Sequence, residues 1–327
     1  MSLKLSVHGE TWPATAPFRI TGTTFVAFES IVVELSDGRH VGRGEALGVY
    51  YLKETRASML EQAEALRARI ERGIDRAELQ TLVPAGGVRN AIDCALWDLE
   101  AKSMGQTIWA LTGVAPKELH TVFTIGVEDT PELMAAKAVD AREHRLLKIK
   151  LNGDRPVERL QAIRAARPDA RLVVDANQGW DIGQLHEVMK AAPALRVEMI
   201  EQPLPRGADE ALEGLRSPVP LCADESCLHL GELDIAARRY QMINIKLDKT
   251  GGLTHALQLA VEARRRGLKL MVGTMGGGSL AMAPAFVVGC LADLVDIDGP
   301  LLQKSDRRDG IRYREGVASV FGSGLWG

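Results

Sequence analysis

The chain has 327 residues, 46% apolar and 25% charged, with a net charge of −3. Charges of both signs are interspersed and no basic tract stands out, which excludes nucleic acid and membrane surfaces as expected partners. At this length one barrel plus a smaller domain is the natural architecture.

The amino end, 1-MSLKLSVHGETW-12, has no leader-like apolar run, and no 18-residue apolar stretch follows, so a cytoplasmic protein is expected. Residues 1–118 read as an α+β unit. The segment 31-IVVEL-35, closed by the turn 36-SDGRHVG-42, predicts antiparallel strands. The stretch 42-GRGEALG-48 has its third glycine one residue late for a dinucleotide fingerprint, and reads as strand and loop. Helices are expected near 54–72 and 87–104. The second carries Ile92, Ala95, Leu96 and Leu99 at helical spacing and stops at Gly105. Cys94, Cys222, Cys227 and Cys290 lack CxxC spacing and sit in apolar contexts, which predicts buried free thiols.

From residue 119 a rhythm sets in. Short apolar runs end near Ile125, Ile149, Val174, Ile200, Cys222, Ile245, Val272 and Val295, with helix signals between them. Thr130-Pro131 starts one helix, and 181-DIGQ-184 reads as a capping box opening another. Eight such repeats predict a parallel α/β barrel rather than a doubly wound sheet, which usually stops at five or six strands.

Barrel active sites lie at the carboxyl ends of the strands. The residues there are Lys148 and Lys150 in 148-KIK-150, Asp175 in 172-LVVDANQGW-180, Glu201 in 199-MIEQP-203, Asp224 in 221-LCADES-226 and Lys246 in 242-MINIKLDKTGG-252. Three converging carboxylates repel one another unless a cation sits among them, and oxygen-only ligands favour a hard divalent ion such as Mg²⁺. A lysine beside such an ion can serve as a base. Lys249, three residues past Lys246, is expected at the solvated surface. After the eighth strand, 293-DLVDIDGP-300 places Asp296 and Asp298 on one face, read either as two aimed carboxylates or as turn caps. The run 273-GTMGGGS-279 reads as a flexible loop bounding the substrate.

The motifs KIK, DANQGW, EQP, ADES and NIKLDKTGG, in this order, resemble the muconate-lactonizing branch of the enolase superfamily, and most of all its dipeptide epimerases. That resemblance implies a (β/α)7β barrel, residues 119–301, under an α+β capping domain formed by 1–118 and completed by about 302–327. It implies one Mg²⁺ per subunit on Asp175, Glu201 and Asp224, with Lys150 and Lys246 as the acid/base pair. Lys148 balances enolate charge, and Glu225 partners a lysine behind the site. The Asp296/Asp298 pair resembles the element that holds a dipeptide ammonium, and Thr23 in 17-PFRITGTTF-25 stands near the position that meets the substrate side chain. Arg19 is displaced from that position, and 46-ALGVYYL-52 is apolar, so an acidic second residue is not specifically expected. The implied function is Mg²⁺-dependent epimerisation of the C-terminal residue of L-Ala-L-Xaa dipeptides by 1,1-proton transfer. A small-molecule partner is therefore expected, and a homo-oligomer is compatible with the reading. The alternatives are an N-succinylamino acid racemase, an o-succinylbenzoate synthase or a cycloisomerase of the same branch. More distant are a Schiff-base aldolase and a non-catalytic binding relative.

Overall fold

The structure, a computed structural model, describes residues 2–327. It begins with an antiparallel sheet of β1 (Lys4–Ile20), β2 (Thr23–Ser36) and β3 (Val41–Ala46). The long β1–β2 hairpin shifts register between Pro13 and Phe18, where two prolines supply no ladder N–H. It turns at Thr21-Gly22, and Gly22 has φ 76°.

Four helices follow: α1 (Arg56–Glu71), α2 (Arg76–Leu82), α3 (Gly87–Met104) and α4 (Ile108–Thr112). Thr55 and Ser58 form a reciprocal cap on α1, and Gly105 ends α3 in the left-handed conformation, φ 61°. The two shorter helices were not legible as periodicity, being seven and five residues long. Leu5, Ile31, Val33 and Leu35 of the sheet pack on Met59, Ile70 and Ile92 of the helices. Between β3 and α3 there is no room for side chains. A Cβ on Gly42 would stand 2.1 Å from the Ala95 carbonyl oxygen, and one on Gly44 2.1 Å from that of Ala91.

After β4 (Leu119–His120) the chain winds through β5 (Phe123–Ile125), α5 (Pro131–Asp140), β6 (Leu146–Lys150), α6 (Pro156–Ala166), β7 (Arg171–Asp175), α7 (Ile182–Ala191), β8 (Val197–Glu201) and β9 (Leu221–Ala223). It continues through α8 (Leu233–Arg239), β10 (Met242–Lys246), α9 (Leu247–Thr250), α10 (Leu253–Arg265), β11 (Lys269–Gly273), α11 (Ser279–Gly289) and β12 (Leu294–Val295). The caps at Thr130 and Asp181–Gln184 form as expected. The crossover from β8 to β9 carries only a 3₁₀ turn, Glu210–Leu212. Strands β5 to β12 pair in sequence order, all parallel. A parallel bridge from Thr121 to Val295 and a 2.9 Å bond from Val122 N–H to the Val295 carbonyl join the first and last strands into a ring.

Inward and outward positions alternate along each strand. The lower inward layer is Val122, Leu146, Val173, Met199, Cys222, Met242, Met271 and Leu294, one apolar side chain per strand position, which plugs the barrel beneath the charged mouth. The carboxyl-terminal segment returns to the first sheet and to α3. A final sheet pairs β13 (Tyr313–Arg314) and β14 (Val317–Ala318) with β4, and the Trp326 indole N–H reaches the carbonyls of Arg43 (2.9 Å) and Cys94 (3.1 Å). All four cysteines are buried and free, and no helix among the described residues is long and apolar enough to cross a membrane.

The β3–α3 contact yields a stability prediction. Gly44→Ala has to push β3 off the α3 backbone, and should cost about 3 kcal/mol, the upper end of overpacking losses. A denaturation midpoint within error of wild type would show that the sheet can lift without penalty.

Candidate active site

The second inward layer, directly above the apolar plug, is polar and charged. Lys148, Asp175, Glu201 and Asn244 come from β6, β7, β8 and β10, with Asp224 just beyond β9 and Asp296 just beyond β12. All are buried. The register Lys150↔Asp175↔Glu201 sets three of the charged ends side by side. Immediately after β7 and β8 the backbone turns sharply. Asn177, Gln178 and Gln202 hold positive φ, a conformation that costs of order 1–3 kcal/mol each and that surrounding contacts must enforce. The Gln202 carboxamide supplies several of those contacts, accepting from the N–H groups of Asp224 and Ser226 at 3.0 Å and donating to the Leu204 carbonyl at 2.8 Å.

Lysines and carboxylates interlock. Lys148 Nζ lies 2.7 Å from Asp296 Oδ2, 2.8 Å from Glu201 Oε2 and 3.1 Å from Asp175 Oδ2. Lys150 Nζ donates to Asp175 Oδ2 at 2.6 Å, and Lys246 Nζ to Asp224 Oδ2 at 2.7 Å. Burial alone would push both aspartates up, but Lys150 and Lys148 hold Asp175 below the usual carboxylate range, and Lys246 and Lys249 do the same for Asp224. Burial works against the lysines too. The carboxylates overrule it and keep Lys148 and Lys246 above the ordinary lysine value.

Two expectations need correction. Lys249 is not a surface lysine but buried, in the one-turn helix α9 that follows β10. Its ammonium donates to Asp224 Oδ1, to the Asp224 carbonyl and to the Asn244 carbonyl, each at 2.7 Å, and lies 3.1 Å from the Cys227 carbonyl. Every proton is committed, so Lys249 fixes Asp224 in place. The "DKTGG" stretch had read as an exposed turn because a single helical turn leaves no periodic signal. Glu225, expected beside a lysine, makes no ion pair. Burial and then the negative charges of Asp224 and Asp175 push its carboxyl up.

The small cavity above this layer, about 70 Å³, is lined by Lys148, Lys150, Lys246, Asn177, Thr124, Asp296 and Asp298 below. Phe18, Ile20, Phe25, Phe28 and Tyr50 from the first sheet and its loop close it above, with Thr274, Met275 and Gly276 at one side. Asp298 is no turn cap. Its carboxylate accepts from the Thr124 N–H at 2.6 Å, and burial and then Asp296 push its pKa up. Thr23 is not part of this wall, and pairs with Ile20 across the hairpin. Arg19 points away, with Nη2 3.1 Å from Glu128 and Nη1 2.7 Å from Asp129. Asn244, which donates to Glu201 Oε1 at 2.6 Å, and Tyr50 were missed from sequence. Asn244 was detectable as the one uncharged polar residue on the inward face of MINIK.

The donor set fits a hard divalent cation. Asp175, Glu201, Asp224, Glu225, Asp296 and Asp298 are buried around the barrel mouth with Lys148, Lys150, Lys246 and Lys249, six carboxyls to four lysines. Burial first, and then neighbouring carboxylates, push up Glu201, Glu225 and Asp298. Glu201 Oε2, although near Lys148, receives no hydrogen bond. In this lysine-neutralised arrangement no three acidic, histidine or cysteine groups among the described residues stand in coordinating geometry. The Lys249 clamp makes a prediction. Lys249→Met strands the inner oxygen of Asp224 in the interior, and should lower stability by about 3–5 kcal/mol, the loss expected on breaking a buried pair. An unchanged melting temperature would return Lys249 to the periphery.

Comparison with known proteins agrees with this architecture. Residues 2–113 match the family described as Mandelate racemase / muconate lactonizing enzyme, N-terminal domain, and residues 132–319 match Enolase C-terminal domain-like. The chain is 40% identical over 315 residues to the L-Ala-D/L-Glu epimerase of Escherichia coli K12, spanning 95% of this chain and 98% of that one. It is also 40% identical over 299 residues to an N-acetyl-D-glutamate racemase from a Pseudoalteromonas species, spanning 91% and 95%. A solved enolase family member from Agrobacterium tumefaciens, described as homologous to dipeptide epimerases and holding sodium and L-Ala-L-Glu with an ordered loop, superimposes with a TM-score of 0.96. It is 40% identical and is covered over its full length by 99% of this chain. With both domains matched in order, and a charged strand-end layer set above an apolar plug, this chain belongs to the enolase superfamily, in its mandelate racemase/muconate lactonizing group.

Proposed function

We propose that this protein is an isomerase that epimerises the C-terminal residue of L-Ala-L-Xaa dipeptides by removing and returning its α-proton. The observation that carries this reading is the placement of Lys150 and Lys246. They end β6 and β10, which have three strands between them on either side of the eight-stranded ring. Both line the same cavity. An α-carbon held between them presents one face to each lysine, and that is the geometry inversion requires. One lysine, neutral, accepts the proton. The other, charged, delivers one to the opposite face.

Asp175, Glu201 and Asp224 would hold the metal, Mg²⁺ by the hardness of their oxygens. Bound there, the ion supplies the positive charge that acidifies the α-proton and stabilises the enolate. Lys148 keeps Glu201 and Asp296 apart and adds a fixed positive charge beside the enolate oxygens. Asp296 and Asp298 follow β12, diametrically across the ring from Glu201 at the end of β8. A dipeptide laid across the mouth thus has its carboxylate toward β8 and its ammonium toward β12. In this reading residues 1–118, completed by about 302–327, form the cap over a catalytic barrel of 119–301. Phe25, Phe28, Tyr50 and Met275 present an apolar wall to the epimerised side chain, and no arginine lines the cavity. A second reading, glutamate in that position or an N-acylated glutamate as substrate, is supported by what the two 40%-identical relatives are named for. In that case Arg19 would have to leave Glu128 and Asp129.

Activity should vanish with excess chelator and in Asp175→Asn, Glu201→Gln and Asp224→Asn. Lys150→Ala and Lys246→Ala should each stop epimerisation while retaining solvent deuterium exchange with one substrate epimer only. Full turnover in chelator, or exchange of both epimers by either variant, would remove this assignment.

Side-by-side kcat/KM for L-Ala-L-Glu, an L-Ala-L-apolar dipeptide and an N-acyl amino acid tests the substrate. The apolar dipeptide should be at least as good as Ala-Glu, and the N-acyl compound poor. Asp298→Asn should cost dipeptide turnover about 2–5 kcal/mol, the loss expected when one member of a buried charge pair is removed. Fastest turnover of the N-acyl compound would replace the ammonium role of Asp296 and Asp298.

A further inference from the structure

Two residues beyond Lys246, in the same strand-end segment, Asp248 is fully buried and faces away from the charged layer. Its Oδ1 accepts from two successive N–H groups of the loop between β3 and α1, Leu47 at 3.1 Å and Gly48 at 2.8 Å. The next N–H of that loop, Val49, donates to Glu54 at 2.7 Å, and Glu54 also accepts from Gly87 at the start of α3. Three consecutive amides are thereby captured by two carboxylates, one from the barrel and one from the cap. Gly48 permits the tight path. Its φ is 77°, and a Cβ there would stand 2.8 Å from the Met59 sulfur. The residue after these amides is Tyr50, which lines the cavity beside Lys246.

Helix α3 grips the other side of the same segment. Arg89 donates to the carbonyls of Thr250 (2.7 Å) and Gly251 (3.1 Å), Asp93 accepts from Thr254 N–H at 2.9 Å, and the Asn90 amide stands against the Asp248 carboxyl, partly offsetting the rise that burial gives it. The opposite lysine is tied more lightly to the cap, by one long contact of the Thr21 hydroxyl with the Leu151 carbonyl (3.5 Å). Otherwise the loop after Lys150 is held from within the barrel, by the Trp180 indole on the Asn152 carbonyl (3.0 Å) and by Gln184 on Gly153 (2.8 Å).

We infer that Asp248 is a positioning residue that clips the Tyr50 loop of the cap to the segment carrying Lys246, so that the placing of this loop sets the aim of one lysine through a clip that the other does not share. The inference rests on the two-lysine reading above and adds an asymmetry to it. Tyr50 at the end of this loop lines the cavity beside Lys246, so the Lys246 segment is bound to whatever the 47–52 loop does when a dipeptide takes its place.

The test uses the intact enzyme with Mg²⁺ and each epimer of one dipeptide in D₂O. Lys150→Ala and Lys246→Ala first define which epimer each lysine serves. Asp248→Ala should then slow α-proton exchange of the Lys246-served epimer by about tenfold or more, a loss typical of a misplaced catalytic group, with the Lys150-served epimer nearly unchanged. Asp248→Asn, which keeps an acceptor oxygen, should recover most of it. Asn90→Ala, a milder loosening of the same carboxylate, should shift the ratio in the same direction and decides the matter if Asp248→Ala does not fold. Equal loss for both epimers, or none, overturns the inference. An independent reading comes from amide hydrogen exchange without substrate. Loosening the clip should speed exchange in both 47–52 and 246–250, and acceleration in only one of them would show that the two segments are not coupled. This holds even if no dipeptide proves to be a substrate, a result that would remove the epimerase reading alone.

Discussion

Ten ionisable groups buried around the mouth of the barrel are the constraint around which the molecule is arranged. Six carboxyls and four lysines stand on a plug of eight apolar side chains, out of contact with bulk water. Each such charge, taken alone, costs several kcal/mol to desolvate, so each must be matched by an opposite charge or a committed hydrogen bond. Most are. Lys148 touches three carboxylates and Lys249 spends its protons on Asp224 and three carbonyls. The excess of carboxyls over lysines suits the site to a divalent cation, and burial, followed by the neighbouring carboxylates, pushes up Glu225 and Asp298.

Fixing those charges within tenths of an ångström requires backbone that does not relax. The inward positions lie on strand ends, where ladder pairing sets their spacing, and the chain leaves β7 and β8 through left-handed residues at Asn177, Gln178 and Gln202. Their strain is tolerable because Gln202 and its neighbours form a closed network, with the carboxamide bonding to Ser226, Leu204 and the Tyr240 hydroxyl. A polar residue of no catalytic type thus carries much of the order at the mouth. Rigidity of this kind is what the proposed two-lysine mechanism requires, with one carbon held between two groups.

The cap supplies what the barrel lacks, an apolar ceiling. Its attachment is close. Gly42 and Gly44 let β3 lie on α3 without intervening side chains, and α3 in turn holds the segment after β10 through Arg89, Asn90 and Asp93. The carboxyl-terminal Trp326 locks the same helix from the other side. Over the cavity stand the long hairpin tip and the 47–52 loop. The hairpin tip is tied to the barrel by the Val127 N–H on the Arg19 carbonyl, by the Arg19 ion pairs with Glu128 and Asp129 and by Thr21 on the Ala176 carbonyl, and the 47–52 loop by Asp248.

The sequence by itself determined the repeat and the chemistry. Strand ends recur at a spacing only a strand-plus-helix unit fills, and period-two alternation puts Lys148, Lys150, Asp175, Glu201, Asp224 and Lys246 on the inward face wherever the ring closes. Caps at Thr130 and Asp181 were legible because they are local, written in three or four adjacent residues. The partners of each charge were not. Lys249 read as exposed because three of its four acceptors, two on Asp224 and one on Cys227, lie in the loop after β9, which only the closed barrel brings beneath it. Glu225 read as a lysine's partner because sequence gives proximity to Asp224 without giving direction. The loop 46–52 was read as an apolar face toward the substrate side chain, but that Tyr50 within it lines the cavity, and that Asp248 holds the loop, depends on how it sits on a barrel segment some two hundred residues away in the chain. Local hydrogen bonding and periodicity fix which elements form and which face each residue takes. Long-range packing alone decides which buried charge meets which.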